Sequence, residues 1–176
     1  MAYKAFDLQG KTVLITGGNS GIGLGMARAL AQAGADIAIW GTNPAKNAAA
    51  KAELAHCGRM VLALECDVSD EQAVEAAFAE TVRALGRVDG CFANAGVSGR
   101  GSSSFLDIST EEWHRVLKVN LDGAFYAAHA AYPAMLQAGG GKIINIGSMM
   151  SIFAAPFAAP YAASKGGIVQ LTKALA

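Results

Sequence analysis

Five short, apolar and often β-branched runs recur along this chain, each separated from the next by a longer alanine-rich stretch with helical periodicity. The runs cover residues 11–16, 35–40, 60–66, 88–93 and 142–147. Their apolarity is continuous instead of alternating, which predicts strands buried on both faces. Helices are predicted over residues 21–33, 44–57, 70–85 and 110–137, with a last one from about residue 160 to the C-terminus. Strands joined by crossover helices pair in parallel with right-handed connections, so the expected fold class is α/β, a doubly wound parallel sheet in a single domain over residues 1–176.

Local signals support these boundaries. Ser69 is the expected cap ahead of Asp70, with Gln72 at the capping-box position, and Ser109 precedes Thr110, Glu111 and Glu112. Gly34, Gly58, Gly86 and Gly139 follow the periodic stretches as helix stops. Two segments break the alternation, residues 97–108 and 149–159, and each follows a strand end. In an open α/β sheet the ligand lies beyond the carboxyl ends of the strands, so these loops are the expected walls of a substrate site.

Charge narrows the ligand class. Fourteen basic residues balance 14 acidic ones with no basic cluster, which offers no footprint for nucleic acid or an anionic membrane surface. A small molecule is expected instead. Cys57, Cys66 and Cys91 are odd in number and lack CxxC spacing, as reduced thiols of a cytoplasmic protein would. The longest apolar stretch, residues 152–163, is broken by Pro156 and Pro160, so no membrane span is expected. His56, His114 and His129 form no ligand spacing, and no metal is expected.

The first predicted strand runs directly into Gly17, Gly18, Asn19, Ser20, Gly21, Ile22 and Gly23, and a helix follows. Backbone N–H groups at a helix N-terminus hold a phosphate well when no Cβ stands in the way, which is what glycines at this turn provide. Further along stand Asn94-Ala95-Gly96 at the end of the fourth strand, Asn120 inside a long helix, Ser148 after the fifth strand, and Tyr161 with Lys165. Four residues apart on a helix, the phenol and the ammonium share one face.

Taken together, TGGNSGIG over residues 16–23, Asp67-Val68, the NAG at 94–96, Asn120, Ser148 and YAASK at 161–165 resemble the short-chain dehydrogenase/reductase family in order and spacing. The likeness covers nearly the whole chain and leans toward gluconate-type sugar-acid dehydrogenases or 3-oxoacyl-thioester reductases. It implies a Rossmann-like domain that moves a hydride between NADP or NAD and a secondary alcohol or ketone. It also implies roles: Tyr161 as acid/base, Ser148 as the hydroxyl on the substrate oxygen, Lys165 as the cation beside the phenol and a ribose ligand, and Asn120 as anchor of a water-linked proton path. Cofactor contacts are implied for Gly17, Asn19, Ser20, Gly21, Ile22, Gly23, Gly41, Thr42, Asn43, Asp67, Val68, Asn94, Ala95, Gly96, Tyr161 and Lys165. A non-catalytic dinucleotide sensor or scaffold of the same fold is the alternative.

Three further expectations follow. The position at the end of the second strand where an acid would repel a 2′-phosphate is Gly41, followed by Thr42 and Asn43 with Lys46 one turn on, which favours NADP over NAD. Arg100, in the first of the two irregular loops, is a candidate partner for a substrate carboxylate. Family members associate through their long helices, implying a homo-oligomer, dimer or homotetramer, and they carry two further strands after the Tyr-Lys helix. The five strands visible here out of an expected seven imply a C-terminally incomplete chain.

Overall fold

The five apolar runs pair into one parallel sheet in a computed structural model, which describes residues 6–99 and 103–176. The strands are β1 (Thr12–Thr16), β2 (Asp36–Gly41), β3 (Val61–Glu65), β4 (Gly90–Ala93) and β5 (Lys142–Asn145), in spatial order β3-β2-β1-β4-β5. The chain winds outward from β1 to β3, then returns to the other side of β1 for β4 and β5. The reversal leaves a crevice between the carboxyl ends of β1 and β4, where such sheets bind ligands.

The strand pattern explains the layers. Leu14 stands opposite Ala38 and Cys91 in register, so the central strands carry apolar residues across the full width of the sheet. Val13, Ile15, Ile37 and Ile39 face one way and pack with Ala27 and Ala31 of α1 (Gly21–Gln32) and Ala50 and Leu54 of α2 (Pro44–Ala55). Leu14, Ala38 and Trp40 face the other way, against Val74 and Phe78 of α3 (Glu71–Leu85) and Ala127, Ala131 and Met135 of α5 (Gly123–Gln137). Both faces of β1 and β2 are buried, as continuous apolarity predicts, whereas the edge strands β3 and β5 are only half-buried despite their apolar runs, because each has a neighbouring strand on one side alone. Trp40 is fully buried, and its indole N–H is satisfied by the Thr81 hydroxyl at 3.1 Å.

Two expectations are corrected. The cap of α3 is Asp70, not Ser69. The Asp67 carboxylate engages both the N–H and the hydroxyl of Ser69 at 2.9 and 2.8 Å, so the next extended residue takes the cap, accepting from the N–H groups of Gln72 and Ala73. A carboxylate also suits the positive helix end better than a hydroxyl. The predicted helix over 110–137 is two helices, α4 (Thr110–Leu117) and α5, joined by a π turn over Lys118–Asp122 in which the Gly123 N–H reaches back five residues to the Lys118 carbonyl. A Cβ on Gly123 would come within 2.8 Å of Val68, so the widened turn and the glycine together let α5 approach the end of β3. The last helix, α6 (Ala159–Leu175), packs on α4 and on the short turn Met149–Ser151. The predicted stops Gly34, Gly58, Gly86 and Gly139 all adopt positive φ.

Candidate active site

A cavity of about 500 Å³ opens at the carboxyl ends of β1, β2 and β4. From the glycine turn it is lined by Gly17, Asn19, Ser20, Ile22 and Gly23, and from the end of β2 by Gly41, Thr42 and Asn43. Asp67 and Val68 line it after β3, and Asn94, Ala95 and Gly96 after β4. Of the residues expected at the cofactor, Gly21, Tyr161 and Lys165 stand outside this lining. Gly21 instead begins α1 with φ +54.

The glycines are required by close approach. Gly17 has φ +64, and a Cβ there would sit 3.1 Å from Ala95 Cα. A Cβ on Gly23 would overlap the Gly17 carbonyl and lie 2.6 Å from Asn94 Nδ2. Ser20 precedes α1 in extended conformation without a side-chain capping bond, so the first N–H groups of that helix are free of any cap among the described residues. Uncapped N–H groups over a bare glycine surface fit the pyrophosphate of a dinucleotide.

Thr16 organises this turn, and the sequence reading gave it no role beyond its place in the glycine motif. Its Oγ1 accepts from the N–H groups of both Asn94 and Ala95 at 3.0 Å, while Asn94 Nδ2 donates to the Thr16 carbonyl at 2.9 Å. Asn94 therefore staples β4 to the glycine turn and shapes the cavity through backbone placement. A threonine at the last position of a buried strand, directly ahead of the glycine turn, was the available signal.

At the end of β2 the geometry corrects the reason for Gly41. A Cβ there would overlap the side-chain amide of Asn19, so the glycine makes room for a neighbour instead of merely lacking an acid. Asn19 Nδ2 donates to Asn47 Oδ1 at 2.7 Å, and Asn47 Nδ2 donates to the carbonyls of Gly41 and Leu64 at 2.9 and 3.0 Å. Asn47 went unremarked in the sequence, although it shares the inward stripe of α2 with Ala50 and Leu54. Asn43 caps α2 through Oδ1 on the Lys46 N–H. Thr42, Asn43 and Lys46 are exposed at the cavity rim. Asp67 also closes its own turn, its Oδ1 accepting from the Ser69 N–H.

The second group lies where α6 meets the end of β5. Lys165 is buried, and its Nζ donates to the Ile146 carbonyl at 2.6 Å while standing 5.8 Å from the centroid of the Tyr161 ring. Burial pushes the Lys165 ammonium below its ordinary value. Ser148 Oγ accepts from the Met150 N–H at 3.1 Å, and the Ser148 N–H donates to Ser151 Oγ at 3.1 Å. The hydroxyl is thereby fixed with its own O–H left to donate.

Asn120 sits in the π turn, 1% exposed. Its Oδ1 accepts from the Val97 N–H at 2.7 Å, and its Nδ2 donates to the Val97 carbonyl and to Ser164 Oγ, each at 3.0 Å. Ser164 Oγ in turn donates to the Tyr161 carbonyl at 2.7 Å. The amide thus ties the loop after β4 to the helix that carries Tyr161. Arg100 lies outside the described residues.

A family model described as short chain dehydrogenase matches residues 11–176. The chain belongs to the short chain dehydrogenase family. It is 36% identical over 175 residues to a 2-dehydro-3-deoxy-L-rhamnonate dehydrogenase (NAD(+)) of Sphingomonas sp. (strain SKA58), covering 99% of this chain and 68% of the relative. It is also 36% identical over 166 residues to a 3beta-hydroxysteroid dehydrogenase of Mediterraneibacter gnavus (strain ATCC 29149 / DSM 114966 / JCM 6515 / VPI C7-9), covering 94% of this chain and 59% of that protein. The crystal structure of an NAD+-bound xylitol dehydrogenase superposes with TM-score 0.92 at 34% identity, over 95% of this chain and 64% of that one. The chain thus spans roughly two thirds of the length of these short chain dehydrogenases.

Proposed function

We propose that this chain is the catalytic dinucleotide-binding domain of an oxidoreductase that moves a hydride between a nicotinamide dinucleotide and a secondary alcohol or ketone. The observation that carries this reading is the bare glycine cradle lining the cavity at the start of α1; the Lys165–Tyr161 pair stands outside that lining, where α6 meets the end of β5 and Lys165 is tethered to the Ile146 carbonyl. When bound, the nicotinamide supplies or accepts the hydride. Ser148 donates a hydrogen bond to the substrate oxygen, and Tyr161 gives its phenolic proton to that oxygen in reduction or takes it back in oxidation. The Lys165 cation lies beside the ring and favours the ionised phenol. Asn120 has spent its side chain on Val97 and Ser164, so any hold on a water-linked proton path falls to its main chain.

NADP is the proposed preference over NAD. No carboxylate stands at residue 41, and Thr42, Asn43 and Lys46 offer hydrogen-bond donors at the rim. The Asn43 oxygen is used in capping, and its amide nitrogen has no partner among the described residues.

The proposed assembly is a homo-oligomer. Phe125, Tyr132 and Leu136 lie 43%, 53% and 67% exposed along one stripe of α5, an apolar face that suits a second copy. Sedimentation as a monomer at micromolar concentration would refute it.

The activity is tested by mixing the protein with each reduced dinucleotide and a panel of ketones that includes a keto sugar acid and a 3-oxoacyl thioester, following nicotinamide absorbance. Oxidation of the nicotinamide with one ketone class supports the proposal. Tight dinucleotide binding with no turnover of any ketone, or of any alcohol in the reverse direction, would favour the sensor reading.

A further inference from the structure

Asn47 is polar, only 5% exposed, and placed on the inward face of α2, where its neighbours along the stripe are Ala50 and Leu54. Burial of an amide is costly unless its donors and acceptor are all met. Here they are met in one orientation only. The carbonyls of Gly41 and Leu64 can accept but cannot donate, so they select the Asn47 nitrogen and turn its oxygen toward Asn19. That oxygen in turn selects the Asn19 nitrogen. Among the described residues the Asn19 oxygen has only a long 3.4 Å contact from the Ser20 hydroxyl, which leaves it free to accept. Asn19 is half-buried and lines the cavity, whereas Asn47 does not.

We propose that Asn47 is a positioning residue for the nucleotide: acting through Asn19 across Gly41, it fixes an amide oxygen at the ribose end of the cavity as an acceptor for a ribose hydroxyl. The proposal rests on the dinucleotide reading above and adds a residue outside the cavity lining to it. Both NAD and NADP keep a free hydroxyl on the adenosine ribose, so the lock serves the two alike. Discrimination between them falls instead to the rim residues Thr42, Asn43 and Lys46. The same geometry means that a side chain at residue 41 acts first by evicting the Asn19 amide.

The test is a double-mutant cycle on dinucleotide affinity, read by fluorescence titration with NADH and with NADPH. Asn47→Leu and Asn19→Ala each raise Kd about tenfold for both dinucleotides, and the double variant is no weaker than either single one. Multiplying effects, an unchanged Kd in Asn47→Leu, or a change confined to one dinucleotide would overturn the proposal, because a merely structural asparagine would not couple to Asn19. If Asn47→Leu does not fold, Gly41→Ala replaces it. That change weakens binding about tenfold in the wild-type background and less than about twofold in Asn19→Ala, and equal losses in both would overturn the proposal. A wild-type protein that binds neither dinucleotide refutes the dinucleotide reading itself. Wild-type binding with an indifferent Asn47 refutes this inference alone.

Discussion

Replacing Asn120 by alanine removes a side chain that holds three hydrogen bonds in a 1% exposed position. Val97 loses the partner of both its N–H and its carbonyl, while Ser164 keeps its bond to the Tyr161 carbonyl. At about 1 kcal/mol net per bond, the loss comes to about 3 kcal/mol. For a chain of this size each kcal/mol lowers Tm by about 2–4 °C, so the transition should fall by about 6–12 °C. Circular dichroism melts at matched protein concentration read it directly. Asn120→Asp should do no better, since it restores only the acceptor for the Val97 N–H and puts a carboxylate in place of the two donated bonds at a buried position. A shift below about 2 °C in Asn120→Ala would mean that the amide does not tie the β4 loop to α6, and the positioning argument for this residue would fail.

Lys165→Met should weaken dinucleotide binding and slow turnover together, and unchanged cofactor affinity would remove its ribose role. The same variant tests a linkage. Because burial lowers the Lys165 ammonium below its ordinary 10.5, the folded chain holds fewer protons than the unfolded chain between that lowered value and 10.5, so this residue makes stability rise with pH there. Urea midpoints across that window should rise less steeply in Lys165→Met than in the wild type, and parallel curves would contradict the assignment. Burial pushes the thiols of Cys66 and Cys91 up to about 11 and about 12. A thiol reagent near neutral pH should therefore label half-buried Cys57 alone in the native protein and all three cysteines after unfolding. Rapid labelling of more than one native thiol would refute it.

The sheet was legible because its signals are local and redundant. Each strand is a continuous apolar run, and each of Gly34, Gly58, Gly86 and Gly139 marks a stop with a backbone conformation that other residues avoid. The break between α4 and α5 was not legible, because residues 110–137 keep helical periodicity straight through the π turn and only the packing of Gly123 against Val68 demands the extra residue. The Ser69 cap was misplaced for a related reason. Its hydroxyl was claimed by Asp67, a contact that depends on how the chain turns after β3. The site divides in the same way. The glycine turn and the Tyr161–Lys165 pair follow from spacing along one turn or one helix. The Asn19–Asn47–Gly41 arrangement joins residues far apart in sequence, and the absent side chain at residue 41 reads as a missing acid until the amide occupying its place is seen.

Tyr161→Phe removes the phenolic hydroxyl and leaves the ring in place, so it isolates the proposed proton transfer. Dinucleotide Kd and ketone turnover should be measured side by side on the wild type and the variant, with the folded state checked by circular dichroism. Kd should stay within about twofold of wild type, since the glycine cradle and α1 are untouched, and the rate should fall below about a hundredth of wild type, since positioned proton transfer is worth roughly 10²- to 10⁴-fold. A variant that binds the dinucleotide and keeps more than that hundredth of the rate would contradict the assignment of Tyr161 as the proton-transferring group.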